Sequence, residues 1–556
     1  MKKILTFFVI LAMVTSMLHA QEAPAALPYS FGKKDISQSI DVKTMPQIDN
    51  EKLLSEDALN QDKSMPLRAA VGFGVNATLD NSGRKDVTPD GGMLWRTKFD
   101  SKDAIMTYLV FENFNIPDEG QLFVYSPDQQ QVYGPYTNKD VQPTGRFESD
   151  NIEGDELIVE YYEPANAAFK GEFTIAAVMH VYRDFLNIRS EEKGPHGDAE
   201  GNCHINVACP DAQPWHYPIN SVVCISMTAH TSEGWAGYLC SGAMINNVRM
   251  DKTPYVLSAN HCVAATDQTY KFYFNYQTYE CNGTTGNSSR VANGGVIVAS
   301  SNTSSTYAAS DFLLLKITGN IGIAFRDSIF FAGWDRTGAF SNGTCIHHPG
   351  GDWKKISFVK SISAPTTGFY ANRFFVVSWM TNPNKGVTEQ GSSGSPLFNA
   401  NGLIIGTLTG GSSYCYNPSG TDDYGRMSYH WTNNNSSDAA RKLQPWLDPD
   451  NTGTTVLQGM TYGGSVITGF KDYTQNNTFQ VSPNPVRDGF VTIEGEFYNE
   501  NAICHIYNAL GQLVMTRNIV TDASFTMNVN GLDNGIYFID IQGSERNYRS
   551  KMIIAK

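Results

Sequence analysis

The chain has 556 residues, of which 41% are hydrophobic and 17% charged, a composition that argues against a disordered or fibrous protein. It is too long for a single core, so we expect roughly three or four domains. Its formal net charge of −14 argues against nucleic acid as a partner, because nucleic-acid-binding proteins usually carry a basic face.

The N-terminus has the pattern of a secretory signal peptide. Lys2 and Lys3 precede the apolar run "ILTFFVILAMV", and "TSMLHA" leads into a polar segment. We predict cleavage after Ala20. No later stretch approaches the 18 apolar residues that a membrane helix needs, so we predict an exported protein without a transmembrane segment.

Nine cysteines are present, and eight of them lie between Cys203 and Cys415. Export places them in an oxidising compartment, which predicts disulfides within one domain, although spacing alone leaves their pairing open. No Cys-x-x-Cys pair or His-and-Cys cluster has zinc-ligand spacing, and we expect neither a metal nor a cofactor.

In chain order, residues 21–70 lack periodicity and predict a loosely ordered leader. From about 71 to 185, short alternating segments such as "QLFVYSP" and "DELIVEYYEP" are separated by turn residues and favour a β-sandwich. Residues 189–202 are polar and contain glycine, which is typical of a linker open to proteases. Residues 203–458 and 475–556 are again strand-rich, and only "SSDAARKLQPWLD" predicts a helix. The fold class is therefore all-β.

Three residues form a candidate catalytic set. Ser393 lies in "GSSGSP", His261 follows the apolar "VLSAN", and Asp311 begins the apolar "SDFLLLKI". Each is more often structural when considered alone. A nucleophilic serine needs a base that is oriented by an acid, and the order His, Asp, Ser is that of chymotrypsin. Gly391 allows its N–H and that of Ser393 to point at one oxyanion, and Gly394 is expected to leave room for substrate backbone.

The region 203–458 resembles the lysyl endopeptidases, which are bacterial serine proteases of the chymotrypsin fold. The resemblance depends on "CHINVACP", "LCSGAMINN", "LSANHC", "YFNYQ", "FAGWDR", "IHHPGGDWKKIS", "GVTEQGSSGSPLF" and "DDYGRMSYHW", which run in family order. It implies a chymotrypsin-like double β-barrel. It also implies His261 as general base, Asp311 as orienting acid, Ser393 as nucleophile, and Gly391 with Ser393 as the oxyanion hole.

The same resemblance implies three disulfides, which are Cys203–Cys415, Cys209–Cys281 and Cys240–Cys262. Cys224 and Cys345 are then left over within the region. We predict a fourth bridge between them.

Specificity is predicted to come from an acid outside the trypsin-like position. Six residues before the nucleophile stands Val387, so the acid that binds a cationic side chain must come from elsewhere. The family pattern places it at Asp422, whereas Asp423 is expected to be solvated. This sequence differs from the family pattern at two other positions near the site. Thr409 stands where family members have a His, and Phe369 or Tyr370 stands where they have a Trp. The substrate-binding set is Asp422, Thr409, Gly410 and Tyr370. His347 and His348 of "IHHPGG" match a family segment and are expected to be structural.

Activation is predicted to be steric or through folding. Many chymotrypsin-like zymogens hold an Asp before the nucleophile, but Ser392 stands there and lacks the charge for that ion pair. Lys193–Gly194 in the linker fits the expected specificity, which predicts self-cleavage there.

The C-terminal "SPNP" start and "GIYFI" strand resemble the type IX secretion sorting domain. The alternative is a small substrate-binding β-sandwich. The resemblance implies passage through the periplasm to the outside or the cell surface, with the type IX machinery as partner. The predicted organisation is a signal peptide at 1–20, a propeptide at 21–193, a protease domain at 194–458, a linker at 459–474, and a small β-sandwich sorting domain at 475–556.

Together these features predict a secreted serine endopeptidase that cleaves protein or peptide substrates after lysine through an acyl-enzyme. One alternative is the same triad with broader Lys and Arg specificity. The other is a catalytically weak surface adhesin built on a protease scaffold.

Overall fold

The computed structural model describes residues 26–467 and 479–556, apart from 35, 38, 61, 189–202, 302–309, 339, 368–370, 382–385, 433–435, 495–499, 509–512, 522–523 and 543–546. The predicted signal peptide and the Lys193–Gly194 bond lie outside the described residues. The chain divides into two compact units, Met1–Cys209 with Tyr217–Ile467, and Pro210–His216 with Thr468–Lys556. Strands dominate both units, which confirms the all-β class.

The described part of the predicted propeptide, residues 21–193, forms a β-sandwich and is called the leader from here on. One sheet has the order β1-β4-β10-β6-β7, with β3 on β4, and the other contains β2, β11, β5, β8 and β9. Trp95, Phe111 and Tyr161 lie in a buried cluster to which both sheets contribute. The elements are β1 (Asp41–Thr44), α1 (Asn50–Leu59), β2 (Leu67–Thr78), β3 (Arg84–Val87), β4 (Met93–Asp100), β5 (Met106–Asn115), β6 (Gln121–Tyr125), β7 (Val132–Tyr136), β8 (Arg146–Glu148), β9 (Ile152–Glu153), β10 (Glu156–Glu163) and β11 (Glu172–Val181).

The start of the leader is more ordered than predicted. Strand β1 pairs in parallel with β4, and Asp49 caps α1 by accepting a hydrogen bond from Lys52 N at 3.0 Å. The expectation of a loosely ordered segment is wrong for the described part of residues 26–70. Its order comes from pairing with strands far along the chain, which local periodicity does not reveal.

Residues 203–458, which contain the candidate catalytic set and are called the catalytic region here, form two barrels. The first half is a nearly closed barrel. Its strands follow the order β19-β16-β13-β14-β15-β21-β20. Apolar side chains such as Val223, Phe272 and Leu315 fill its interior. The elements are β12 (Ile205–Asn206), α2 (His216–Ile219), β13 (Val222–Thr231), β14 (Gly234–Ile245), β15 (Tyr255–Ser258), β16 (Thr269–Phe274), β17 (Gln277–Thr278), β18 (Gly286–Asn287), β19 (Val291–Asn293), β20 (Gly295–Ser300) and β21 (Leu313–Ile317).

The second half is a closed barrel. Its order is β27-β24-β25-β26-β29-β28, and an additional pairing of β27 with β28 closes the ring. Phe375, Leu397 and Tyr424 lie in its core. The elements are α3 (Ile323–Arg326), β22 (Phe330–Phe331), β23 (Trp334–Asp335), β24 (Thr344–His347), β25 (Lys355–Ser363), β26 (Phe374–Trp379), β27 (Pro396–Phe398), β28 (Ile404–Gly411), β29 (Thr421–Arg426), α4 (Met427–Thr432), α5 (Gln444–Leu447), β30 (Val456–Leu457), β31 (Gly459–Thr461) and β32 (Val466–Ile467).

The leader and the first barrel share one sheet. Strand β2 pairs antiparallel with β14, in a register that sets Leu67 opposite Leu239 and Gly72 opposite Trp235. Apolar residues of both regions, such as Met179 of the leader and Leu239 of the first barrel, form a common buried cluster. The leader therefore belongs to the same packed unit as the catalytic region.

Two local predictions differ from the structure. The predicted helix in "SSDAARKLQPWLD" is two short helical segments, Ala439–Arg441 and α5, separated by extended backbone at Lys442 (φ −151°, ψ 156°). The predicted linker begins later than 459, because β31 pairs with β22 and with β32. In both places tertiary pairing overrides the local composition.

The C-terminal unit holds two sheets, β33-β34-β37 and β36-β35-β38-β39. Val491, Ile506 and Ile539 lie in its buried core. The elements are β33 (Gln480–Ser482), β34 (Phe490–Glu494), β35 (Glu500–Asn508), β36 (Leu513–Thr521), β37 (Ser524–Asn528), β38 (Gly535–Gln542) and β39 (Asn547–Ile554). Across the described residues, no helix is long and apolar enough to span a membrane.

Candidate active site

His261 and Asp311 form a hydrogen-bonded pair. His261 lies in a short 3₁₀ helix, Asn260–Cys262, that directly follows β15. Its Nδ1 is 2.7 Å from Asp311 Oδ2, and its backbone N–H donates to Asp311 Oδ1 at 3.0 Å. Asp311 is fully buried and has a left-handed φ of 55°, which is uncommon for a residue other than glycine. This carboxylate therefore fixes both the ring and the backbone of His261.

Ser393 lies on a tight turn beside the first barrel. Ser395 N donates to Ser392 O at 2.9 Å, and Ser241 N on β14 donates to Ser393 O at 2.8 Å. Cys262 Sγ is 4.0 Å from the same carbonyl oxygen, so the turns that carry His261 and Ser393 are adjacent. Among the described residues, His261 Nε2 has no hydrogen-bond partner.

The two glycines beside Ser393 avoid clashes. Gly391 has φ 85°, and a Cβ there would lie 2.7 Å from Gly351 N. A Cβ at Gly394 would lie 2.1 Å from Ser258 Oγ. Gly394 thus allows close packing against the first barrel, and the expectation that it leaves room for substrate backbone is wrong.

Asp422 lies on β29 and is fully buried in a polar pocket of the second barrel. Its Oδ2 accepts hydrogen bonds from Trp379 Nε1 at 2.7 Å, from Thr388 Oγ1 at 2.6 Å and from Ser413 Oγ. Sequence reasoning missed these three residues, because they come from separate strands and loops and no local pattern marks them as partners of Asp422. The trypsin-like position holds Val387, which is buried.

The pocket contains a lysine of the leader. The Nζ of Lys63 lies 2.5 Å from Asp422 Oδ1, and it donates to Ser413 O at 2.6 Å and to Thr388 Oγ1 at 3.0 Å. It also lies 4.7 Å from the centroid of the Tyr414 ring. The side chains of Lys63 and Asp422 are both 0% exposed. Burial lowers the pKa of the Lys63 ammonium below its usual value, and the charge of Asp422 opposes that fall.

The backbone of Lys63 reaches the nucleophile. Ser393 Oγ donates a hydrogen bond to Lys63 O at 3.0 Å. One residue therefore contacts Ser393 with its carbonyl group and Asp422 with its ammonium group. No sequence pattern indicates this contact, since the two residues are 330 positions apart.

The other predicted substrate-binding residues have mixed outcomes. Thr409 is fully buried, and its Oγ1 has no hydrogen-bond partner among the described residues. Gly410 lies on β28 opposite Asp423, which is buried, so the expectation that Asp423 is solvated is wrong. Phe369 and Tyr370 lie outside the described residues.

Three disulfides occur in the catalytic region, namely Cys203–Cys415, Cys209–Cys281 and Cys240–Cys262. The last one joins β14 to the 3₁₀ helix that carries His261.

The predicted fourth bridge is wrong. Cys224 and Cys345 are both free and buried. Cys224 packs in the cluster shared by the leader and the first barrel, whereas Cys345 packs in the second barrel. Burial raises the pKa of each thiol to about 12. These thiols are separated by the fold and behave as small apolar groups.

A buried polar network supports the turn of Ser393. The Nδ1 of His347 lies 2.7 Å from Ser392 Oγ, and its Nε2 lies 2.9 Å from Ser357 Oγ. Burial lowers the pKa of His347 well below the usual range, so the ring is neutral. Burial raises the pKa of Glu389, but His204, the backbone N–H of Cys415 and the charge of Lys63 together more than offset this and leave the pKa lowered. Ser392 therefore has a hydrogen-bonding role in place of a zymogen ion pair.

His430 lies behind Asp311. Its Nδ1 is 2.7 Å from Ser310 Oγ and its Nε2 is 3.0 Å from Thr407 Oγ1, which joins the segment of Asp311 to β28. The ring is fully buried, and burial lowers its pKa to about 3.

This environment predicts acid sensitivity. Below about pH 6.5 the unfolded chain binds a proton at His430, whereas the folded chain keeps this ring neutral. The contribution of His430 to the free energy of unfolding is therefore constant above that pH and decreases below it. At pH 5 the expected loss is about 2 kcal/mol from this residue. Urea unfolding of a Ser393→Ala chain at pH 7.5 and pH 5 measures the loss. His430→Gln should reduce the difference between the two pH values in the free energy of unfolding by about 2 kcal/mol. His230→Gln, at an exposed position, should leave that difference unchanged. Equal differences in the parent chain and in both variants would contradict the assignment to His430.

Comparison with known proteins finds matches in two separate parts of the chain. Residues 197–425 match the family model described as lysyl endopeptidase, C-terminal domain, and residues 480–555 match the secretion system C-terminal sorting domain. A lysyl endopeptidase from Pseudomonas aeruginosa is 31% identical over 306 residues, which are 52% of this chain and 62% of that relative. The chain thus spans less than two thirds of that relative.

Two further similarities are more limited. A funoran endo-beta-hydrolase from Wenyingzhuangia aestuarii is 29% identical over 113 residues, 19% of this chain and 15% of that protein. A solved structure titled "Atomic resolution structure of HBP" is 14% identical with a TM-score of 0.28, covering 43% of this chain and 93% of that one.

The resemblance to the lysyl endopeptidases and the secreted or cell-surface localisation predicted from the sequence are confirmed, because residues 197–425 match the lysyl endopeptidase C-terminal domain and residues 480–555 match the secretion-system sorting domain.

Proposed function

We propose that this protein is a secreted serine endopeptidase that hydrolyses peptide bonds on the carboxyl side of lysine. The observation that carries the proposal is Lys63, whose ammonium pairs with Asp422 while its carbonyl oxygen lies 3.0 Å from Ser393 Oγ. A lysine of a substrate in the same position would present its own carbonyl group to Ser393.

The proposed reaction uses His261, Asp311 and Ser393. Ser393 Oγ attacks the lysyl carbonyl carbon, and its proton passes to His261 Nε2. The charge on the imidazole is stabilised by Asp311, which hydrogen-bonds Nδ1 at 2.7 Å. His261 then protonates the leaving amine, and an activated water releases the acyl group from Ser393. The N–H groups of Gly391 and Ser393 are proposed to stabilise the oxyanion.

The preference for lysine over arginine follows from the closed end of the pocket. Acceptors from Asp422, Ser413 and Thr388 surround a single Nζ at 2.5–3.3 Å. This arrangement fits a compact ammonium, whereas a guanidinium is broad and planar and distributes its donors over a fork. Trp379 and Tyr414 border the same space. Arginine is therefore expected to be a poor substrate.

Profiling of cleaved peptides tests the specificity. The mature enzyme should cut a mixed peptide library after lysine, with arginine sites largely intact. Equal cutting after arginine would leave the alternative of a broader Lys and Arg protease.

Labelling with a serine-directed fluorophosphonate tests the enzyme class. The mature protein should be labelled, and Ser393→Ala should not. Absence of label in both would favour the alternative of an adhesin on an inactive protease scaffold, since binding alone requires no reactive serine.

The proposed maturation involves the remaining segments. The C-terminal domain is proposed to engage the type IX secretion machinery, and the substrates are proteins or peptides with lysine at the cleavage site. Removal of the leader at Lys193–Gly194 stays a prediction, because this bond lies outside the described residues. N-terminal sequencing of the secreted protein tests it.

A further inference from the structure

A short segment of the leader crosses the candidate active site. Gln390, near the nucleophile, donates from Nε2 to Asn60 O at 2.9 Å and to Asp62 O at 3.2 Å. Lys63 follows, with its side chain in the Asp422 pocket and its carbonyl oxygen on Ser393. The side chains of the pocket acid and the nucleophile are both buried in this arrangement. The leader thus occupies the place that a substrate needs.

The backbone on both sides of the Lys63–Ser64 bond is held in a turn. Met65 N donates to Asp62 O at 3.0 Å, which closes a β-turn over residues 62–65. Asp62 Oδ1 accepts hydrogen bonds from Ser64 N at 2.9 Å and from Ser64 Oγ at 2.7 Å. The amide nitrogen that would leave during cleavage, Ser64 N, therefore donates a hydrogen bond to the carboxylate of Asp62.

The hydroxyl of Ser393 makes a hydrogen bond that does not favour its attack on a carbonyl carbon. Ser393 Oγ donates its proton to Lys63 O, whereas attack requires that this proton go to His261 Nε2, an atom without a partner among the described residues. In this state the ammonium group of Lys63 is bound by Asp422, but Ser393 Oγ is hydrogen-bonded to Lys63 O and not to His261.

The segment is anchored by the strand that follows it. Strand β2 begins at Leu67 and pairs with β14 of the first barrel. Further contacts join the leader to the barrel, including Tyr108 OH with Thr228 Oγ1 at 2.8 Å and the buried ion pair of Glu148 with Lys271 at 3.2 Å. Such anchoring gives Lys63 a high effective concentration at the pocket, so an incoming lysyl peptide competes poorly.

We propose that Asn60 and residues 62–65 form a built-in inhibitor, in which Lys63 occupies the lysine pocket as a pseudosubstrate and the turn closed by Asp62 protects the Lys63–Ser64 bond from cleavage. This inference rests on the proposed function and adds the regulation of the same site. Departure of the leader then uncovers Ser393 and Asp422 together. The leader inhibits by mimicking the substrate, without the ion pair of a trypsin-like zymogen.

Labelling of the full-length chain tests the occlusion. An uncharged fluorophosphonate reports on Ser393 whatever the lysine preference, and the label is quantified in the full-length band of a denaturing gel. If the site is free in 1–10% of molecules, labelling should be about 10- to 100-fold slower than in the mature enzyme. Lys63→Ala should restore most of the mature rate. Lys52→Ala, at an exposed lysine of the same leader, should not.

The outcomes separate the two proposals. Equal labelling of the full-length and mature proteins would overturn the inhibitor while leaving the protease intact. No labelling of the mature protein would overturn the proposed function and the inhibitor with it. Slow labelling of folded Lys63→Ala, with folding checked by near-ultraviolet circular dichroism, would also overturn the role of Lys63.

A second variant tests the turn without disturbing the lysine pocket. Asp62→Ala removes both hydrogen bonds to Ser64 and should convert residues 62–65 into a substrate. Mass spectrometry should then find a new N-terminus at Ser64 in this variant, and not in the double variant Asp62→Ala with Ser393→Ala. A new N-terminus at Ser64 in the wild-type chain would identify a processing site in place of an inhibitor.

Discussion

Replacing Asp311 by asparagine is expected to lower kcat for lysyl peptides by about 10⁴-fold, with little change in KM. Oδ2 of Asp311 accepts from His261 Nδ1 at 2.7 Å and Oδ1 accepts from His261 N at 3.0 Å. An amide has one acceptor oxygen, so one of these donors loses its acceptor and the imidazole no longer has both its tautomer and its orientation fixed. Steady-state kinetics of the mature enzyme measure the loss.

Asp327→Asn is the matched control for this substitution. Its side chain is 87% exposed, and it should leave kcat within about twofold, as is usual for surface positions. A loss in Asp311→Asn that appears mainly in KM would contradict the orienting role.

Replacing Asp422 by asparagine is expected to lower kcat/KM for lysyl peptides by about 10²- to 10³-fold. Removing one partner of a buried ion pair costs about 3–5 kcal/mol, because the remaining charge is left uncompensated. The new amide N–H groups would also face donors, since Trp379 Nε1 and Thr388 Oγ1 both donate to Oδ2 of Asp422. The substituted pocket therefore disfavours an ammonium ion.

Two comparisons make this test specific. In the adjacent variant Asp423→Asn, kcat/KM for lysyl peptides should fall by less than about tenfold. Successive side chains of a strand point to opposite faces, so the side chain of Asp423 points away from the pocket of Asp422. A peptide with methionine in place of lysine should show no loss in Asp422→Asn. An equal loss for lysyl and methionyl peptides would indicate general damage and contradict the specificity role.

The same pocket explains why the leader and the substrate compete. Lys63 satisfies Asp422 in the full-length chain, so the buried carboxylate has a cationic partner before any substrate arrives. Full-length Asp422→Asn should therefore hold its leader more weakly than the wild-type chain. The carboxylate of Asp422 is thus expected to bind the lysine of a substrate in the mature enzyme and Lys63 of the leader in the full-length chain.

Some features depend on local or family patterns, and these were predictable from the sequence. The strand-rich composition and turn spacing indicated the all-β class, and motifs in family order indicated the lysyl endopeptidase resemblance of the region around Ser393. The resemblance also carried Asp422 as the pocket acid, although it stands 29 positions after the nucleophile and no local rule would select it over Asp423.

Predictions failed where tertiary packing overrides the local signal. The segment before residue 71 has no periodicity, yet β1 and α1 form there and Lys63 reaches the pocket. Counting cysteines suggested a bridge between Cys224 and Cys345, but they pack in separate clusters. A rule on even cysteine numbers takes no account of where each side chain is buried.

By itself, the sequence determined which chemical groups are present and in what order, including the histidine, the acids and the serine with its flanking glycines. Only the tertiary structure decided which lysine of this chain meets Asp422, and that Trp379, Thr388 and Ser413 complete the pocket. The physical reason is that these contacts join residues from about 10 to more than 300 positions apart. Their proximity results from the pairing of strands and the packing of the leader on the first barrel, which no local pattern encodes.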